Sequence, residues 1–175
     1  DILYQTPVSH SHSVSFSGGN NEATYRASFG YNNVRNTAKG NEQESFNASL
    51  NITSIFWEKL TLTAGLSGNH TKTKGFASGV DPYNYAMKTS RIIGSYEGDN
   101  FFYYDKAGYR YNILNELQNS GNENTTRTVN LSLNARYRLT DALVLSGTLG
   151  GASSSYFAET WFTERSHYIT AIRRI

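Results

Sequence analysis

The sequence predicts an all-β chain, an antiparallel up-and-down meander of about six long strands. Three observations predict it. Apolar and polar residues alternate with period two in six stretches. The helical period is missing except over Ile113-Leu114-Asn115-Glu116-Leu117, which is too short to organise a core. Short and long connections between the stretches alternate strictly, which places every tight turn at one end of a meander and every long connection at the other.

The first strand, 10–17, carries His10, His12, Val14 and Phe16 on one face and serines on the other. After Ser17-Gly18-Gly19-Asn20-Asn21 the second, 22–32, alternates Ala23, Tyr25, Ala27, Phe29 and Tyr31 with Thr24, Arg26, Ser28 and Gly30, completing a hairpin. A longer connection leads to 43–54, where Phe46, Ala48, Leu50 and Ile52 alternate with Asn47, Ser49, Asn51 and Thr53. A brief turn through Trp57 precedes 60–69, with Leu60, Leu62, Ala64 and Leu66 on one side. Residues 70–123 lose the alternation, are dense in Gly, Asn, Asp and Tyr, and read as one long loop. The clearest strands follow at 125–139 and 143–151, joined by Thr140-Asp141-Ala142. Beyond Gly150 the parity changes, because Tyr156, Ala158 and Phe162 fall opposite Leu145 and Leu149, as a bulge or a loop would allow.

Composition narrows the class. The chain has 175 residues, 38% hydrophobic, 14% aromatic and 17% charged, enough for one ordinary domain and too rich in rings for a disordered tail. A formal net charge of +2, with no basic cluster beyond Arg173-Arg174, gives nucleic acid little to hold. With no cysteine, disulfide scaffolds, thiolate metal sites and a cysteine nucleophile are excluded. No apolar run is long enough for a membrane-crossing helix, which leaves a barrel allowed. The start at Asp1-Ile2-Leu3, without Met or leader, suggests a piece of something longer.

Alternation alone fits two settings. A soluble sandwich turns its apolar stripe to a core, and a transmembrane barrel turns it to lipid. Strand lengths of about nine to thirteen residues exceed those usual in soluble sheets and favour the barrel. If the short turns mark the bottom, Tyr25, Trp57 and Tyr137 lie low and Phe29, Tyr31 and Phe46 high, around aliphatic Val129, Leu131 and Leu133. That order resembles two interfacial girdles. The opposite face carries Arg26, Asn47, Asn51, Asn130, Asn134, Arg136 and Arg138, which need a wet lumen or, in a sandwich, bulk solvent.

Thr6-Pro7 leading into Ser13-Val14-Ser15-Phe16-Ser17-Gly18-Gly19, followed by Tyr25-Arg26-Ala27-Ser28-Phe29-Gly30-Tyr31-Asn32, resembles a barrel hairpin of the SusC/RagA-like TonB-dependent outer-membrane transporters. Phe46-Asn47-Ala48-Ser49-Leu50-Asn51, Asp81-Pro82-Tyr83-Asn84-Tyr85-Ala86 and Tyr111-Asn112-Ile113-Leu114-Asn115-Glu116-Leu117 come in that family's order. The similarity spans roughly residues 6–150. It implies a barrel of about 22 strands closed by a plug, energised by TonB in the outer membrane of a Gram-negative bacterium. It also implies a SusD-like surface lipoprotein as partner and a nutrient such as an oligosaccharide or peptide as cargo. The departure is size: about six strands cannot close such a barrel, so the chain is expected to be part of one, without the plug and the TonB-contacting segment. The rival reading is a soluble, secreted β-sandwich module or adhesin recognising glycans.

No enzyme is expected, because nucleophile elbow, metalloprotease helix, phosphate loop and dinucleotide fingerprint are all missing from the sequence. His10 and His12 share a face at metal-ligand spacing, but no carboxylate or third histidine lies near them in sequence, so neither metal nor cofactor is expected. The candidate ligand contacts are in the long loop: Tyr83, Tyr85, Asp99, Phe101, Phe102, Tyr103 and Tyr104. Rings beside carboxylates and amides suit a sugar or peptide, and they equally suit packing of the loop on itself. Arg26, Asn47, Asn51, Asn134, Arg136 and Arg138 are the expected lumen-facing residues.

Overall fold

The computed structural model describes residues 3–90, 93–106 and 109–173; Asp1, Ile2 and Arg174 of the sequence reading lie outside them. In chain order the elements are β1 (Val8–Gly19), β2 (Ala23–Arg35), β3 (Glu42–Phe56), β4 (Leu60–Gly75), α1 (Pro82–Lys88), β5 (Tyr96–Glu97) and β6 (Asn100–Phe101). They continue as β7 (Tyr104–Lys106), β8 (Tyr109–Tyr111), α2 (Ile113–Asn119), β9 (Ser120–Arg138), β10 (Val144–Phe162) and α3 (His167–Ile172). Six of the strands form one antiparallel sheet in the order β1-β2-β3-β4-β9-β10, while β5-β6 and β7-β8 are small separate ladders. The expected meander is therefore observed.

Local chemistry closes each tight turn. At β1–β2 the Asn20 side-chain oxygen accepts the Glu22 and Ala23 N–H groups at 2.9 and 2.8 Å. At β3–β4 Trp57 and Glu58 both take positive φ, 51° and 57°, and the Lys59 N–H returns to the Phe56 carbonyl at 3.1 Å. This backbone matches the right-handed twist of the strands, although two non-glycine residues occupy a region that costs each about 1 kcal/mol.

The strands outrun their sequence-based limits at the end away from these turns. β4 reaches Gly75 and β9 starts at Ser120, so the expected loop over 70–123 narrows to 76–119 and contains two helices and two small ladders. β10 continues to Phe162 rather than stopping at 151. Its register with β9 advances one residue at a time from Val144↔Arg138 to Phe162↔Ser120, without a bulge. The change of parity has another cause: Tyr156 and Phe162 stand on the polar face, where the Tyr156 hydroxyl donates to Asn124 Oδ1 at 3.0 Å.

The sheet is a single layer. One face presents Phe16, Tyr25, Phe29, Phe46, Leu50, Leu66, Val129, Leu131, Leu133 and Leu149, all exposed, Leu149 at 70%. The other is laced by hydroxyl and amide pairs, Ser28–Ser49 at 2.8 Å, Thr53–Thr63 at 3.2 Å and Thr148–Asn134 at 2.7 Å. Among the described residues no second sheet covers either face, so the sandwich architecture is not found. The buried apolar cluster lies instead at the loop end, where Leu3, Ala77, Val80, Tyr111, Ile113 and Leu114 meet. No helix of the described residues is long and apolar enough to cross a membrane, which leaves crossing by strands open.

Candidate functional site

The layer of connections at the loop end is built from caps. Asp81 precedes Pro82 and accepts the Tyr83 and Asn84 N–H groups at 2.9 and 3.0 Å, starting α1 with Pro in its first turn. Asn112 starts α2 in the same way, accepting from Leu114 and Asn115 at 2.8 and 3.1 Å. Its amide also donates to the Ser95 and Phe102 carbonyls at 2.8 and 2.7 Å, which ties the small ladders to the helix. α2 is thus short yet central to the core, contrary to the sequence expectation. Its burial comes from these tertiary bonds, not from helical propensity.

Across the layer, Glu116 is fully buried. One carboxylate oxygen accepts the Asn115 amide and the His167 backbone N–H, both at 2.9 Å, and the other lies 2.9 Å from His167 Nδ1. The His167 ring meets Tyr111 edge-on at 5.0 Å between centroids, and Asn115 Nδ2 donates to the Arg165 carbonyl at 2.9 Å. The segment after β10 is thereby fastened to α2.

Beside this clasp opens a cavity of about 490 Å³ lined by Asp81, Asn84, Tyr85, Lys88, Tyr104 and Tyr111, among others. The three tyrosines pack together, with centroids 5.9 to 6.4 Å apart. Burial raises the hydroxyl pKa of each above its ordinary value. The Glu116 carboxylate adds to the effect at Tyr111, the most strongly shifted. The rim therefore offers neutral phenols, an amide, a carboxylate and an ammonium, groups that can stack on and hydrogen-bond a polar organic ligand.

Of the expected contacts only Tyr85 and Tyr104 line this cavity. Tyr83 is exposed on the other side of α1 against Tyr4, 5.4 Å between centroids. Asp99 is exposed in the β5–β6 turn. Phe101 packs on Tyr96, Tyr103 lies under the Arg110 guanidinium, and Phe102 offers its carbonyl to Asn112. Asn84 and Tyr111 belong to the same ring- and amide-rich loop that the sequence marks for ligand contact, whereas Lys88 has no place in that expectation. The Asp81-Pro82 start signal would have predicted a helix that sets Asp81, Tyr85 and Lys88 on one side. Arg26, Asn47, Asn51, Asn134, Arg136 and Arg138 all stand on the polar face of the sheet. There Arg138 also donates to the Glu58 carbonyl at 3.0 Å.

No protein-family model matches the chain, and no curated protein matches it. Solved structures do match in fold. A structure of the RagAB peptide importer in the "closed-closed" state superposes with a TM-score of 0.78 at 17% identity, over 95% of this chain and 20% of that chain. A structure of the RagAB peptide transporter gives 0.72 at 18% identity, over 91% and 19%. The chain spans about a fifth of the length of these structures, and at the level of fold the resemblance to SusC/RagA-like transporters is met.

Proposed function

We propose that this chain is a wall segment of a TonB-dependent outer-membrane transporter of the SusC/RagA type, with its apolar face in lipid and its polar face toward the lumen and plug. The single observation that carries the reading is a one-layer sheet whose apolar face is uncovered among the described residues, while the buried apolar cluster sits at the loop end. A soluble sheet of this size would expose a large apolar patch without a function for it. On β9 the outward residues Val129, Leu131, Leu133, Ala135 and Tyr137 span about 20 Å at ordinary rise and tilt, near the height of a barrel's apolar band. Beyond them come Arg127 and the ion pairs Lys72–Glu123 at 2.6 Å and Arg35–Glu42 at 3.4 Å, groups suited to headgroups and water. Nineteen-residue β9 and β10 are longer than a bilayer requires and would carry the wall outward on the extracellular side.

In this reading the loop layer covers the extracellular mouth, where Tyr85, Tyr104, Asn84 and Lys88 contact cargo or a SusD-like lipoprotein. The fold likeness to a peptide importer favours a peptide over an oligosaccharide. Plug and TonB contact would belong to the parent chain, and the segment carries out no chemistry of its own. Fractionation of source cells, with peptide mass spectrometry of the polypeptide containing these residues, tests the reading. A chain several times larger in the detergent-extracted outer membrane, bringing a surface lipoprotein with it, supports it. A chain near 19.5 kDa in a soluble fraction rejects it.

A further inference from the structure

The apolar face is not evenly filled. One row across it reads Val14, Phe29, Ala48, Gly68, Val129, and the next row toward the loop end reads His12, Tyr31, Phe46, His70, Arg127. The small residues at Ala48 and Gly68 leave a concavity of about 670 Å³ between Phe29 and Val129, overhung by Phe46 and His70 and rimmed by Arg127. Tyr31, Phe46 and His70 pack ring to ring along the rim, with centroids 4.9 and 6.5 Å apart, which fixes its shape.

Charge marks the rim as well. One row further out, Lys72 is neutralised by Glu123, and beyond it Arg35 by Glu42. Arg127 is exposed and has no acidic partner among the described residues; its strand neighbours are His70 and Ser155. An exposed guanidinium at the border of an apolar band, directly above a hydrocarbon-sized groove, complements a molecule that has an acyl chain below and a phosphate at headgroup level.

We propose that this groove is a binding site for a phosphate-bearing lipid of the surrounding leaflet, one acyl chain lying over Gly68 and its phosphate held by Arg127. The inference rests on the wall reading above. Gly68 offers a clean test, because a Cβ there would meet nothing closer than the Thr128 carbonyl at 3.9 Å, so a larger side chain fills the groove without displacing backbone. Gly147 lies on the same face toward the turn end with nothing within 4 Å, and serves as a control for added bulk.

The experiment uses the full-length chain that carries these residues, purified from outer membranes in mild detergent, with lipid retained per protein measured by native mass spectrometry and phosphorus analysis. The expected result is a retained phospholipid or phosphorylated glycolipid, reduced about fivefold by Arg127→Ser, reduced likewise by Gly68→Leu, and unchanged by Gly147→Leu. Equal retention by all variants in membrane-inserted protein overturns the lipid site and leaves the wall reading intact. Loss with Gly68→Leu but not Arg127→Ser identifies an uncharged hydrocarbon and overturns it too. Failure to recover the chain from the outer membrane overturns both.

Discussion

Asn112 shows how much one amide can organise. Buried to 2% exposure, it caps α2 and holds two carbonyls of the small ladders. Asn112→Ala removes the cap and leaves the Ser95 and Phe102 carbonyls without that donor, a loss of about 2–4 kcal/mol. Hydrogen exchange should show the loop layer losing protection while β1 to β4 keep theirs. Asn112→Asp retains the acceptor and loses the donors, so it should open the ladders but spare the first turn of α2. Tyr111 supplies a pH response. An unfolded tyrosine ionises near pH 10, whereas burial and the Glu116 carboxylate keep folded Tyr111 protonated to higher pH. The stabilisation is therefore full below about pH 10 and declines as pH rises through the folded pKa. Exchange rates in α2 should climb above pH 10 in the native chain and respond less in Tyr111→Phe.

Among the elements, the strands were readable because alternation is a local signal repeated in every one of them, and the turn-end hairpins followed from it. Of the helices, only α2 shows a local signal, the short helical period from Ile113 to Leu117. α1 and α2 are seven residues each and form because Asp81 and Asn112 cap them and the cluster around Tyr111 covers them. α3 is fastened by Glu116 to His167 across 51 residues of sequence, a contact with no local signature. The far half of β10 has no local apolar alternation to mark it: the unbroken register with β9 sets Tyr156 on the polar face, where its hydroxyl donates to Asn124. Face identity gives a sharp prediction for β9. On the proposed reading Leu131→Arg puts a cation in mid-bilayer and weakens insertion by about 2–4 kcal/mol, whereas Ser132→Arg on the polar face costs little. Urea titration of the assembled full-length chain in liposomes would compare the two.

As a whole molecule the chain has its two surfaces and its core in unusual places, since among the described residues neither face of the main sheet is covered and the buried apolar cluster belongs to the connections. The meander and the two faces were legible in the sequence; which loop residues gather round the cavity was not, because Tyr85, Tyr104 and Tyr111 meet only after two helices form. The central claim is that water touches one face and lipid the other. These 175 residues contain no cysteine, so single cysteines can be introduced along β9 without a background from this segment. In outer membranes containing the full-length chain, cysteines at Asn130, Ser132 and Asn134 should react with a water-soluble maleimide, and those at Val129, Leu131 and Leu133 should be protected until detergent is added. Equal reactivity at all six before detergent would mean water on both faces and would contradict the account.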